Sequence, residues 1–427
     1  MLKAGFSRVD VTPPLGSYVA GVFYPRFAKE VLDPIELNAI ALSDGEETAF
    51  IIAADFLMIG RKYADEIKNT IAEKTGVPVT NIMIPCLHQH TSISLKEMPQ
   101  GILEDKAYID VLYRKFADVA TMAINDMEEA QLFYGQEETE EELSFVRRYI
   151  MNDGSVATNP GGDLRKQIAK RYAEADQNVR LCRFKRETKN DIALVNFSTH
   201  ADLIHKELFS FDWPGFVRTY VEADIEGASC IAVTGAEGDT NHVDFMADKI
   251  KNGYDHCKHM ARIITNTVLK MWENLTPCEG DEFVSKQDIV YNKTRTDGEE
   301  KYEESIKIRD AIRAKTASHD ITKAGEATRI IAIREAPIYQ KIPVSALRIG
   351  NVGFVGFGGE PFIAYAEAVR NANPDKFIIC SCCTNGGEGY LPTAKAFEEG
   401  GYEASASSFS PNIEEQCVKM ANKLLNE

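Results

Sequence analysis

The hydrophobic pattern of the chain switches repeatedly between a period of two and the three-and-four spacing of a helix. Period-two runs predict strands at residues 6–11, 36–43 and 48–58, the last two joined by the turn Asp44-Gly45. Thr12-Pro13-Pro14 halts the first, because proline has no amide to give to a ladder. Helical spacing over 63–74 ends at Gly76-Val77-Pro78, and a second helix is predicted over 107–127. Between them a short apolar strand at 81–86 runs into Leu87-His88-Gln89-His90-Thr91-Ser92.

The alternation continues. Strands at 179–184 and 191–197 flank a polar turn, and 216–225 reads as a helix. A buried strand at 229–233 feeds Gly235-Ala236-Glu237-Gly238-Asp239, and 251–272 is a long helix. A strand pair over 344–357, a helix at 361–372, a strand at 377–383 and a closing helix at 413–425 complete the pattern. The charge run at 137–142 reads as solvated, as does a charged helical excursion near 299–335. With no repeat and no Pro- or Ser-rich linker, the expectation is α/β, mixed sheets with flanking helices, in a single large domain over 1–427.

Composition narrows the function classes. A net charge of −17 repels phosphate backbones and anionic lipid, so neither nucleic acid nor a membrane surface is an expected partner. Nine scattered cysteines form no disulfide framework and point to a reducing compartment. The N-terminus enters a strand pattern at once, which leaves no room for a signal peptide, and no apolar run is long enough to span a bilayer. The expectation is a cytoplasmic protein acting on a small molecule, with a homo-oligomer open.

Eight histidines carry most of the candidate chemistry: 88, 90, 200, 205, 242, 256, 259 and 319. His88 and His90 lie just past a strand, where α/β enzymes place their sites, and imidazole is the commonest zinc ligand. His200 ends a strand in the same way, with His205 as its rival. His256 and His259 on the long helix read as surface or packing residues. Glu360 in Gly358-Gly359-Glu360-Pro361, Tyr390 in Gly389-Tyr390-Leu391-Pro392, and Tyr402 in Gly401-Tyr402-Glu403 sit beside glycines that let backbone approach a site closely. There is no phosphate loop and no Gly-x-Ser-x-Gly elbow, which disfavours nucleotide binding and a serine triad.

Taken in order, these motifs resemble the catalytic domain of the neutral/alkaline non-lysosomal ceramidase family. The resemblance runs from Asp10-Val11-Thr12-Pro13-Pro14 through Ala54-Asp55-Phe56-Leu57, His88-Gln89-His90-Thr91-Ser92 and Arg147-Arg148. It continues through Phe211-Asp212-Trp213-Pro214-Gly215, Gly238-Asp239, Gly359-Glu360-Pro361-Phe362 and Gly401-Tyr402-Glu403. It implies one Zn²⁺ held by His88, His200, Glu360 and Tyr390, with His90, Arg147 and Tyr402 on the scissile carbonyl and Asp239 as an orienting carboxylate. The segment Gly238-Asp239-Thr240-Asn241-His242 lacks the serine that true ceramidases carry there. The expectation is therefore a short soluble relative that hydrolyses an amide-like or ester-like bond through metal-activated water, with Thr240 the competing nucleophile. Two alternatives stand beside it. One is an amidohydrolase-type barrel using His88, His90, His200, His205 and Asp239; the other is a relative that binds a ligand without catalysis.

Overall fold

Alternation sorts the side chains of each strand onto two faces, and here both faces are apolar on nearly every strand. The computed structural model describes residues 1–96, 106–314 and 320–427. Its larger sheet contains nine strands: Lys3–Asp10 (β1), Glu36–Ser43 (β2), Thr48–Ala54 (β3), Ile82–Met83 (β4), Glu128–Glu138 (β5), Asn178–Arg186 (β6), Asp191–Phe197 (β7), Ala228–Thr234 (β8) and Thr276–Pro277 (β9). Their spatial order is β8-β7-β6-β5-β1-β2-β3-β4, with β9 added beside β5. A second sheet runs Phe283–Lys293 (β10), Tyr339–Ile349 (β11), Val352–Phe357 (β12) and Phe377–Ser381 (β13) in sequence order. Both are mixed. The pairs β3/β4, β7/β8 and β12/β13 are parallel, and the other ladders are antiparallel.

The two sheets pack face to face. Ile40, Leu42, Ile51, Leu194 and Val233 of the first share one core with Leu347, Val352, Phe354 and Ile379 of the second. The opposite faces are covered by helices. Arg61–Thr75 (α1) and Lys106–Asn125 (α2) cover Leu37, Ala39, Phe50 and Ile52. Asp212–Asp224 (α3) and Tyr254–Met271 (α4) cover Ala193, Val195 and Cys230. Ile363–Ala372 (α7) and Ile413–Asn426 (α10) cover Val344, Val355 and Cys380. The result is four layers, helix, sheet, sheet, helix, a stack that period-two patterning with two buried faces demands. Among the described residues no helix is long and apolar enough to cross a membrane.

Two long strands escape the sequence pattern. β5 carries Glu at both ends and is half-exposed or exposed at all but one residue, and its C-terminal residues overlap the run expected in solvent. β10 is half-exposed over most of its length. Neither shows the buried alternation that marks the others. The charged excursion is helical as expected, in two helices, Tyr302–Arg313 (α5) and Ile321–Ile333 (α6), but it is not simply solvated. Ala324, Gly325, Ala327, Arg329 and Ile330 of α6 are buried, and α6 packs on the short helix Tyr402–Ala406 (α9), which follows another short helix, Ala394–Glu399 (α8). Residues 315–319 of this stretch, His319 included, lie outside the described residues.

Candidate metal centre

Each parallel pair ends at the same edge of the two-sheet stack, and the loops that leave those ends carry the functional side chains. His88 follows β4, His200 follows β7, Glu360 follows β12 and Tyr390 follows β13. The ends are tied together across the sheets. The Cys382 amide donates to the Thr234 carbonyl at 3.4 Å, and the Asn196 side-chain amide donates to the carbonyls of Val233 at 2.9 Å and Cys380 at 3.2 Å. Glu360 and Tyr390 then face one another as direct partners in a two-residue parallel ladder. Side chains paired in this way project to one face.

The three imidazoles of His88, His90 and His200 form one cluster, with one nitrogen of each within 4.8 Å of the others. Main-chain carbonyls fix all three rings. His88 Nδ1 lies 2.9 Å from the Leu57 carbonyl, His90 Nδ1 2.8 Å from that of Gly21, and His200 Nδ1 2.8 Å and 2.9 Å from those of Glu237 and Thr240. A carbonyl only accepts, so each Nδ1 bears the proton and each Nε2 keeps its lone pair. His88 reaches this position with φ 55, in the left-handed region that residues other than glycine seldom occupy. The two histidines therefore come together through a turn. Gln89 between them turns away and donates to the Phe211 carbonyl at 2.7 Å.

Glu360 completes the cluster. Its Oε2 is 3.4 Å from His88 Nε2 and 3.6 Å from His200 Nε2. Glu360 Oε2, His200 Nε2 and His90 Nε2 are all buried with no hydrogen-bond partner. Buried polar atoms without partners are costly and rare, and several converging lone pairs are what a divalent cation satisfies. Burial, reinforced by the Arg147 charge, lowers the His200 pKa to about 3, so the ring is neutral. Burial alone would raise Glu360, but His88 and His200 outweigh it and bring the carboxyl down to about 2. The donor set of neutral imidazoles, an ionised carboxylate and a nearby phenol fits Zn²⁺.

A second group of side chains closes the cluster opposite the histidines. Arg147 stacks over the Tyr390 and Tyr402 rings at 5.3 Å and 5.8 Å. It donates from Nε to Glu403 Oε1 at 2.8 Å and from Nη2 to the Gly238 carbonyl at 2.7 Å. Glu403 is fully buried, and its other oxygen accepts from the Thr158 hydroxyl at 2.8 Å. Tyr402 stands 5.3 Å from the Tyr390 ring, with Gly325 of α6 behind it; a Cβ on Gly325 would meet the Tyr402 ring at 2.8 Å. Asp239 does not enter the cluster. Its Oδ1 caps α7 by accepting from the Ile363 amide at 2.9 Å, and its carbonyl accepts from the Arg147 amide at 2.8 Å. Burial raises the Asp239 carboxyl to about 7.

Two solved structures share this architecture: neutral ceramidase from Pseudomonas aeruginosa, and a ceramidase complexed with C2. Each aligns with a TM-score of 0.75 at 13% identity, covering 99% of this chain and 74% of the other. The chain has a ceramidase fold. No protein-family model and no curated protein matches the sequence. At 13% identity the likeness speaks for the fold, and the chemistry is argued from side chains.

Within the ceramidase fold the sequence-derived candidates separate. His88, His90, His200 and Glu360 come together, and Tyr390, Tyr402 and Arg147 border them. The amidohydrolase barrel is excluded, because the strands form two stacked sheets. His205, half-exposed, pairs with Asp202 instead, at 3.3 Å. Thr240 Oγ1 is buried against the carbonyls of Ser198 and Glu237, at 3.5 Å and 3.4 Å. Sequence reasoning assigned no part to Glu403. The signal was a pair of arginines, Arg147-Arg148, that need a buried carboxylate once they enter a core.

Proposed function

We propose that the protein is a zinc-dependent hydrolase that cleaves an amide-like or ester-like bond in a small molecule. His88, His200, Glu360 and Tyr390 would hold the ion. The observation that carries this reading is the convergence of the unpartnered His200 Nε2 and Glu360 Oε2 on the His88 ring. Bound there, zinc supplies Lewis acidity and lowers the pKa of water toward ~7. Burial, with the Glu360 charge beside it, pushes the Tyr390 phenol well above its usual range and keeps it protonated when no ion is bound; the Arg147 hydrogen bond opposes that shift.

The side chains divide the remaining work. Arg147 and Tyr402 donate to the oxygen on which charge develops as the carbonyl is attacked, a contribution of roughly 3 kcal/mol for a well-placed donor. His90 takes a different part from the one the resemblance implies. Its Nδ1 proton is given to Gly21, so Nε2 faces the site as a hydrogen-bond acceptor that orients the attacking water instead of donating to the carbonyl, and burial keeps the ring neutral. Asp239 positions Arg147 and the start of α7 through hydrogen bonds. The Thr240 hydroxyl, turned toward two carbonyls, leaves water as the nucleophile. Nine free cysteines suit a reducing compartment such as the cytoplasm.

His88→Ala tests the reading. Zinc content by elemental analysis should fall to background and turnover of N-acyl, ester and lactone substrates should vanish. Full metal content in the variant would remove the ligand assignment. Absence of turnover in the zinc-loaded wild type, together with tight binding of a small molecule, would point to a binder without catalysis.

A further inference from the structure

Beside the ligand cluster lies a second group of buried polar atoms without partners. Asp202 follows His200 by two residues, and its Oδ1 is 3.4 Å from His90 Nδ1 and 3.3 Å from His205 Nδ1. That oxygen is buried, and neither imidazole is aligned to give it a hydrogen bond despite the short contact. His242 follows Thr240 by two residues and is 5% exposed; neither ring nitrogen makes a close hydrogen bond, and the Asn252 side chain is the neighbour that offers a weak one. Asp202 and His205 both act electrostatically on it. Arg26 is 2% exposed and feels the Asp202 charge. Its Nη2 donates to the His90 carbonyl at 2.6 Å, and its Nε has no partner.

The chemistry of these free groups selects a ligand class. Asp202 offers an acceptor and Arg26 Nε a donor. Neutral His242 offers one of each. An anion is repelled by Asp202, and a cation by Arg26. A hydroxyl both donates and accepts, so adjacent hydroxyls satisfy the whole set without adding charge. We propose that Asp202, His242 and Arg26 form a subsite beside the metal centre that recognises a neutral, hydroxyl-rich group, sugar-like or cyclitol-like, carried by the substrate. Its place in a substrate rests on the hydrolase reading; taken with that reading it names an N- or O-acylated sugar or cyclitol as the substrate class.

Isothermal titration calorimetry of the zinc-loaded protein with myo-inositol and glucose tests the subsite, with choline as the cationic contrast. At least one polyol should bind saturably and more tightly than choline. Asp202→Asn and His242→Phe should each weaken that binding about tenfold or more, the usual loss when a charged or buried hydrogen-bond partner is removed. Zinc content and the unfolding midpoint serve as the folding control, and either variant suffices if the other fails to fold. No saturable polyol binding, equal affinity in a folded variant, or tighter binding of choline would overturn the proposal. Polyol binding without turnover of any acyl substrate would keep the subsite and remove the hydrolase. Turnover indifferent to hydroxyl groups, with no polyol binding, would do the reverse.

Discussion

The two sides of the centre are held by different means. On the histidine side, Leu57, Gly21, Glu237 and Thr240 fix three rings through main-chain carbonyls. On the opposite side, Arg147 and the two tyrosines are fixed by a buried carboxylate, Glu403, and by ring stacking. A carbonyl is present whatever the side chain, so the first side tolerates substitution of the residues that supply its clamps. The second depends on one charge balancing others in a dry environment, where loss of one partner leaves a buried ion unpaired.

That contrast can be broken most forcefully at Glu403. Glu403→Ala should destabilise the protein by roughly 3–5 kcal/mol in urea unfolding, because Arg147 and Arg148 both lose their buried carboxylate. A change below ~1 kcal/mol would mean the arginines find other partners. Arg147→Lys keeps the charge and loses the fork that spans Glu403 and Gly238. Turnover should fall roughly 10²- to 10³-fold with zinc retained.

The histidine side gives smaller effects with a distinct signature. Burial lowers the His242 pKa from 6.5 to about 4. Between those values the unfolded chain binds a proton that the native chain refuses, so stability falls as pH drops through that window. His242→Phe should flatten the pH dependence of the unfolding free energy between pH 6.5 and pH 4 by about 3 kcal/mol at most. An unchanged slope would show that this ring is not held neutral. Asp239 acts in the opposite sense: its raised pKa contributes stability at low pH that is lost as pH rises toward 7. Gly21 is the exception among the clamp residues, and Gly21→Ala has a smaller effect than the changes above. A Cβ there would lie 2.6 Å from the His90 Cα, and φ 104 disfavours any side chain. His90 should shift, with turnover down roughly tenfold and zinc content intact. By contrast, Leu57→Met should be nearly silent in both readouts.

The same contrast explains what the sequence discloses. The strands that alternate with both faces buried, such as Glu36–Ser43 and Asp191–Phe197, declare themselves through apolar residues. Glu128–Glu138 and Phe283–Lys293 do not, because their half-exposed faces admit charge and polarity. His88, His200, Glu360 and Tyr390 are legible because strand ends and adjacent glycines mark them. The carbonyl clamps of the histidines leave no trace, since any residue supplies one. His242 was passed over because a histidine without a close partner has no sequence signature; only burial reveals the missing bonds.

Diffraction at the zinc edge from crystals of the zinc-loaded protein addresses the metal centre most directly. The account predicts one strong anomalous peak, about 2.0–2.2 Å from His88 Nε2, His200 Nε2, the Glu360 carboxylate and the Tyr390 oxygen. A peak at another site, or none with full zinc in solution, would contradict it.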